Sequence, residues 1–310
     1  MGYDKDQFYA PGVVAIPQVV GWAKIKSYIE VTKPATVGLL VFTAVAGMIA
    51  AAQLAPGANA SWKNLMEAFF AVTLACAGSN AISCFVDRDL DAIMERTRKR
   101  PIPSARIYPP AKALYFGLAL VGLGLALAAS INWLSVLALV GGIVDYVLVY
   151  SVWSKRRTAL NIVLGGFSGG FPVLFGWVAV AGKIDLLPIL LGALVVLWIP
   201  NHIWSIALYC RNDYLRAQVP MLPAVRSTLS VIRCIMATSL ILAVFAALIY
   251  WAADLGWIYA TLGGIATALT LLGALALYLD PTPEKAWKVF KLSSPNLFLI
   301  FLGVILDALF

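Results

Sequence analysis

The sequence predicts an all-α protein, a bundle of about nine membrane-crossing helices with the N-terminus inside and the C-terminus outside, and three observations lead there. The chain of 310 residues is 62% hydrophobic and only 12% charged, against the roughly 45–50% apolar share of soluble domains. Its apolar residues fall in runs long enough to cross a hydrocarbon layer, and its basic residues fall almost entirely to one side of those runs. Lipid offers no partners to backbone polar groups, so runs of this length are expected to span as helices.

Residues 1–31 come first. They include Asp4, Lys5 and Asp6 and lack the succession of charged start, apolar core and small-residue cleavage site that marks a signal peptide, so they read as an interfacial segment that the mature chain keeps. The apolar runs then cover residues 36–54, 65–84, 113–130, 133–150, 161–181, 187–209, 232–253, 257–279 and 295–310. Most reach the length of about 20 residues that a layer of about 30 Å requires. Gly165, Gly166, Gly169 and Gly170 in the fifth run are small residues of the kind that let membrane helices approach closely. The whole chain, 1–310, reads as one domain with two long inner-face loops, 85–112 and 210–229, whereas the outer connections at 131–132, 182–185 and 254–256 are short. Inert connections are usually short, so any chemistry belongs to the inner face. Pro101, Pro103, Pro109 and Pro110 forbid a helix through the first long loop.

With the N-terminus inside, every one of the 23 basic residues except Lys63 and Lys183 falls on the inner side, which is the charge bias that orients membrane proteins. The net charge of +8 then reflects basic loops against an anionic leaflet; the partner it implies is the lipid bilayer, and no nucleic acid is needed. Cys76, Cys84, Cys210 and Cys234 have no CxxC spacing and read as free thiols.

The strongest motif runs off the inner end of the second span: Asn80-Ala-Ile-Ser83-Cys84-Phe-Val-Asp87-Arg88-Asp89-Leu-Asp91. Asp87 and Asp91 stand four residues apart, and Asn80, Cys84, Asp87 and Asp91 follow one helical stripe. Two adjacent carboxylates repel unless a divalent ion relieves them, and Mg2+ takes one or two carboxylates while keeping positions open for phosphate oxygens. The pair reads as a diphosphate anchor, with Arg96, Arg98, Lys99, Arg100 and Arg106 downstream to hold the remaining charge. The competing reading is a solvated acidic and basic cap on a helix. In the second loop, Arg211, Asn212, Asp213, Tyr214 and Arg216 supply a single carboxylate. Either Asp213 binds a second Mg2+ with Asn212 as a neutral ligand, or it pairs with Arg211 or Arg216. Lys155, Arg156 and Arg157 precede Asn161 and face a diphosphate, carboxylates of a second substrate, or lipid. Asp145, inside the fourth run, is expected to pair with Lys155 or with water near the inner end. His202, the single histidine, falls within the sixth run.

These residues resemble the UbiA-type intramembrane prenyltransferases, and within that superfamily the haem O synthases, which farnesylate protohaem. The wider resemblance rests on the nine-span layout, Thr32-Lys33-Pro34 and Asp87 with Asp91. The closer one rests on the stretch from Asp87 to Pro101, on Tyr150-Ser-Val-Trp153-Ser-Lys155-Arg-Arg157-Thr158 with Asn161, on Trp198-Ile-Pro200-Asn201-His202-Ile-Trp204, and on Asp213-Tyr214 with Pro220-Met221-Leu-Pro223. Ser83 stands where the family usually has Asn, with Asn80 as a substitute; Gln218 stands for a common Gly, and Asn201 for a usual Pro.

The resemblance implies a prenyltransferase of the cell (plasma) membrane whose site faces the cytoplasm, joining a farnesyl group from farnesyl diphosphate to a vinyl group of haem b. It implies Mg2+ at Asp87 and Asp91 and at Asp213, with Asp87, Asp91, Asp213 and Arg98 as the catalytic set. Substrate-binding roles fall to Lys33, Asn80, Ser83, Arg88, Arg96, Arg100, Lys155, Arg156, Asn161, His202, Trp204, Asn212 and Tyr214. Tyr146, Tyr150, Trp198 and Trp204 are candidates to steady an allylic cation, or else interface anchors. For His202 the resemblance opens a second reading beside packing, that its imidazole approaches haem iron. Association with a haem A synthase or a terminal-oxidase assembly is a further implied partner. The alternatives are prenyl transfer to a quinone precursor or a glycerolipid, and, in another class, a transporter; transporters place ionisable groups near mid-membrane, whereas here they gather at the inner mouth.

Overall fold

The computed structural model describes residues 19–310; Lys5 and the rest of the expected interfacial segment up to residue 18 lie outside the described residues. Helix α1 (Gly21–Val31) leads into α2 (Pro34–Leu54), α3 (Trp62–Val86), the short α4 (Arg88–Ile93), α5 (Ala111–Ile131) and α6 (Trp133–Ile143), which continues directly into a π-helical segment, Val144–Ser154. There follow α7 (Asn161–Leu164), α8 (Phe167–Ala181), α9 (Leu186–Tyr209), the short α10 (Arg211–Arg216) and α11 (Leu222–Val225), and α12 (Thr228–Ala252), α13 (Trp257–Leu279) and α14 (Pro283–Leu309). Among the described residues, nine units are long and apolar enough to cross a membrane, counting α6 with its π segment and α7 with α8. The expected all-α bundle is the observed fold.

Small residues set the helix spacing. A Cβ on Gly176 of α8 would stand 1.9 Å from the Ala44 carbonyl oxygen of α2, and one on Gly47 would stand 2.4 Å from that of Val173. The glycines singled out in the fifth run behave alike: a Cβ on Gly170 would meet the Gly192 carbonyl oxygen at 2.7 Å. Tight packing of this kind brings dispersion contact that lipid tails cannot match. At the short-loop end, the side-chain amides of Asn64 and Asn132 donate to the carbonyls of Ala179 and Val178, each at 2.9 Å.

Two expectations change. The fifth run spans as expected, but its helix is interrupted at Gly165–Gly166, where Tyr150 packs so closely that a Cβ on Gly165 would lie 2.5 Å from the Tyr150 Cβ. The break leaves the first N–H groups of α8 without helical partners, and Asp145 Oδ2 accepts from the Ser168 N–H at 2.7 Å. Asp145 therefore caps α8 rather than pairing with Lys155. The ninth span begins at Pro283, not near residue 295: Thr282 Oγ1 accepts from the Lys285 N–H at 3.4 Å and Pro283 occupies the first turn. Lys285, Lys288 and Lys291 thus ride on helix rather than on a loop.

Candidate active site

Helix α3 ends at Val86 and α4 begins at Arg88, with Asp87 between them at φ −90°, ψ 5°. The Asp91 N–H still donates to the Asp87 carbonyl at 2.8 Å, so the four-residue register survives the junction. Both carboxylates are buried, at 3% exposure each, and both line a cavity of ≈ 480 Å³ together with Asn80 and Ser83. Cys84 leaves the expected stripe: its thiol turns to the Val31 carbonyl at 3.5 Å, and Ser83 takes the place beside Asp87, donating to Oδ2 at 3.3 Å.

The opposite wall is the π segment. Hydrogen bonds from residue i to i+5 widen the turn, and the Lys155 N–H meets the Tyr150 carbonyl in that register at 3.0 Å. Tyr146, Tyr150 and Lys155 all line the cavity in consequence. Ser151 Oγ lies 3.1 Å from Ser83 Oγ, and the Tyr146 hydroxyl donates to Asn80 Oδ1 at 3.0 Å while accepting from Lys33 Nζ at 3.2 Å. Neither Ser151 nor the Tyr146 hydrogen bonds follow from the sequence, since a π register has no motif.

Lys155 Nζ is 2.6 Å from Asp87 Oδ2, and one Arg100 nitrogen donates to both oxygens of Asp91, at 2.9 and 2.8 Å. Burial works against the Lys155 ammonium, yet the Asp87 carboxylate more than offsets this and holds its pKa above the ordinary value. Lys33 and Arg96 also line the cavity and meet hydroxyls, Arg96 donating to the Tyr214 phenol at 3.4 Å. Four cations therefore face two carboxylates, a surplus of two positive charges.

Several candidates lie elsewhere. Arg98 is on the exposed side of the loop, paired with Glu95. Arg156 holds Asp89 through two contacts of 2.6 Å, which overcome burial and keep the Asp89 carboxyl below the usual range. Arg88 reaches the Phe85 carbonyl at 2.8 Å, Asn212 is exposed, and Asn161 donates to the Thr158 carbonyl at 2.8 Å. Trp204 packs in an apolar cluster with Val231 and Ile235. Asp213 accepts the N–H groups of Glu95 and Arg96, each at 3.1 Å, and Arg216 at 2.5 Å. Its two oxygens are spent fastening the second long loop to the first, which leaves Tyr214 on the cavity wall.

On the far side of the cavity, His202 and Trp198 of α9 stack at 4.4 Å between centroids. His202 Nδ1 lies 2.6 Å from Ser293 Oγ, and that hydroxyl spends its one proton on the Phe290 carbonyl, also at 2.6 Å. Nδ1 is therefore the protonated nitrogen, and Nε2 keeps a free lone pair.

Asp87 and Asp91 suit a magnesium ion. They are hard oxygen donors on one wall, and Asp87 Oδ1 is buried with no hydrogen-bond partner. Among the described residues no group of three or more His, Cys, Asp or Glu is placed to hold a metal, so an ion here would complete its shell with phosphate oxygens and water.

A multi-span helix bundle with a basic, carboxylate-bearing mouth on an apolar cavity is the architecture of an intramembrane prenyltransferase, and the chain belongs to the UbiA prenyltransferase family, whose model matches residues 12–302. It is 50% identical over 282 residues to a protein named Protoheme IX farnesyltransferase from Desulforudis audaxviator, covering 91% of this chain and 88% of that one. Among solved structures, a digeranylgeranylglyceryl phosphate synthase superposes with a TM-score of 0.74 at 23% identity, covering 92% of this chain and 98% of that one. A UbiA homologue from Archaeoglobus fulgidus bound to GPP and Mg2+ superposes at 0.65 with 17% identity, covering 90% and 99%.

Proposed function

We propose that the protein transfers the farnesyl group of farnesyl diphosphate to a vinyl group of protohaem IX (haem b), forming haem O. The observation that carries this is the mouth itself, with Asp87 and Asp91 buried among Lys33, Arg96, Arg100 and Lys155 at the head of an apolar cavity, in a chain half identical to a Protoheme IX farnesyltransferase. Magnesium bound at Asp87 and Asp91 would neutralise the diphosphate and weaken its bond to the allylic carbon; that the A. fulgidus homologue is bound to GPP and Mg2+ supports magnesium as the ion, and the two buried carboxylates supply its place here.

Lys155 and Arg100 already point their charge at this place and stabilise the diphosphate as the C–O bond breaks and the electron pair leaves with oxygen. Lys33 and Arg96 take the remaining phosphate oxygens. The apolar walls keep water from the allylic cation, and the faces of Tyr146 and Tyr150 stand beside it. The vinyl π electrons then form the new C–C bond, the positive charge moves to the carbon next to the macrocycle, and water adds there with loss of one proton. Asp213 acts as a positioning residue, through the loop carrying Arg96. The lone pair on His202 Nε2 suits haem iron; an unchanged haem absorption spectrum and affinity in His202→Ala would refute this. The basic bias of the loops supports a site facing the cytoplasm in the proposed plasma-membrane setting. Co-purification with a haem A synthase or terminal-oxidase assembly tests the implied partnership.

Incubating the purified protein with Mg2+, farnesyl diphosphate and haem b should release diphosphate and yield the hydroxyethylfarnesyl product by mass. Transfer to 4-hydroxybenzoate or geranylgeranylglyceryl phosphate, with none to haem, overturns the assignment.

A further inference from the structure

Polar side chains cross from the π segment to α3 in two parallel strings, about one helical turn apart. In the first, Lys33 Nζ donates to the Tyr146 hydroxyl, which donates to Asn80 Oδ1, and the string ends where the Asn80 amide nitrogen donates to the Cys76 carbonyl at 2.9 Å. In the second, Ser151 Oγ meets Ser83 Oγ at 3.1 Å, and Ser83 Oγ donates to Asp87 Oδ2. Only the second ends on a carboxylate. Its two hydroxyls are sealed from solvent, at 0% exposure for Ser151 and 1% for Ser83.

The direction of the second string follows from its protons. A serine hydroxyl has one proton and two lone pairs, and a carboxylate only accepts, so the Ser83 proton goes to Asp87. Ser151 Oγ lies 3.1 Å from the Tyr146 carbonyl as well as from Ser83 Oγ. In the π register that carbonyl already faces the N–H of Ser151, five residues on, which leaves the Ser151 hydroxyl proton for Ser83. The widened turn also sets the spacing: Tyr146, Ser151 and Lys155 meet Asn80, Ser83 and Asp87 in succession.

The two oxygens of Asp87 are unlike in consequence. Oδ2 takes the Ser83 hydroxyl at 3.3 Å and Lys155 Nζ at 2.6 Å, whereas Oδ1 is buried and has no hydrogen-bond partner among the described residues. A flexible ammonium alone would accept either oxygen; the second donor, fixed from α3, singles out one.

We infer that Ser151, acting through Ser83, is a positioning residue for Asp87: the string keeps the carboxylate turned so that Oδ2 stays with Lys155 and Oδ1 remains open for a divalent cation. The inference rests on the magnesium reading of Asp87 above and adds which oxygen serves the ion and what holds it there. Without the Ser151 proton, the Ser83 hydroxyl turns back to the Ser79 carbonyl one turn earlier, the usual resort of a serine inside a helix, and Asp87 loses its second tether.

Thermal melting of the full-length detergent-solubilised protein over a series of free Mg2+ concentrations, with inorganic diphosphate held constant, reads the Mg2+ needed for half of the full stabilisation. Each variant is measured against its own melting point without Mg2+, so lost stability alone does not move that midpoint. Ser83→Ala should raise it about tenfold and Ser151→Ala about fivefold, as expected for a hydrogen bond to a charged group and for one between neutral groups. Because the two act in series, the double variant should stand where Ser83→Ala stands. Ser205→Ala removes a buried hydroxyl that bonds its own helix, at the Asn201 carbonyl and 2.7 Å, and should keep the wild-type midpoint. A wild-type midpoint in Ser151→Ala, a double variant in which the two factors multiply, or an equal shift in Ser205→Ala overturns the positioning role while the magnesium reading stands. If wild-type protein shows no Mg2+-dependent shift at all, the magnesium reading itself falls.

Discussion

Replacing Lys155 by Met should strand the Asp87 carboxylate, and the size of the effect follows from burial. The two side chains are 13% and 4% exposed with 2.6 Å between nitrogen and oxygen, so solvent screens them little. Removing one partner of such a pair costs about 3–5 kcal/mol, most of it the penalty of an uncompensated charge rather than the worth of the pair. Asp87→Asn strands the lysine and should cost a similar amount. The double variant strands nothing and should recover most of the loss, so a double-mutant cycle should be strongly non-additive. Melting of the detergent-solubilised variants with and without Mg2+ reads all of this. Because Lys155→Met leaves Asp87 without its counter-charge, Mg2+ should stabilise that variant more than wild type, and should not rescue Asp87→Asn. Diphosphate release by Lys155→Met should fall about 10²–10³-fold. Strictly additive losses in the cycle, or Lys155→Met melting with wild type, would refute the buried pair and the counter-charge argument with it.

Three further outcomes separate residues that the sequence groups together. Arg98→Ala should change stability by no more than about 0.5 kcal/mol and leave activity close to wild type, because its partner Glu95 is exposed; Arg100→Ala, which removes both contacts to Asp91, should abolish most turnover in the same assay. Asp213→Asn should loosen the long loops, read as faster proteolysis near residues 94–110. The N–H groups of Arg96 and Glu95 and the Arg216 guanidinium overcome burial and hold the Asp213 carboxyl below the usual range; its stabilisation is full above the unfolded value of about 4 and fades as pH falls through the folded value, so wild type and variant should begin to converge only as pH falls below about 4 and meet below the folded value. Phe171 lines the cavity and packs on Gly141 and Gly142, where added Cβ atoms would come within 2.5 Å of its ring and 3.1 Å of its Cβ; Phe171→Ala should deepen the cavity on that side and raise the use of geranylgeranyl over farnesyl diphosphate in competition assays.

Much of the molecule was legible because membrane burial writes long, simple signals. The apolar runs gave the spans, and the spacing of Asp87 and Asp91 gave the core of the mouth, because a helical register is a local property. What was not legible depends on contacts between distant segments. A π register leaves no mark in residues 144–154, yet it directs Tyr146, Tyr150 and Lys155 toward α3. The partner of Asp145 is an N–H exposed by the break at Gly165, a place where Tyr150, distant in sequence, packs. Arg98 and Arg100 differ by two positions in a charged loop, and only the fold of residues 94–110 sends one to solvent and the other to Asp91. Asp213 looked like a ligand by its setting in the second loop, whereas its oxygens meet the backbone of the first.

The arrangement of the mouth also bears on how a buried charged site survives before substrate arrives. An empty pair of carboxylates would be costly to bury, and so would four unpartnered cations. Lys155 and Arg100 each neutralise one carboxylate, while Lys33 and Arg96 are held by the phenols of Tyr146 and Tyr214. Under the proposed function, a magnesium diphosphate does not have to create a site; it exchanges partners within one. Asp87 and Asp91 would hold the ion; Lys33, Lys155, Arg96 and Arg100 would turn to phosphate oxygens, and each charge would stay compensated throughout. The surplus of two positive charges is what an arriving diphosphate meets, so removing one cation should weaken diphosphate more than it weakens the tail.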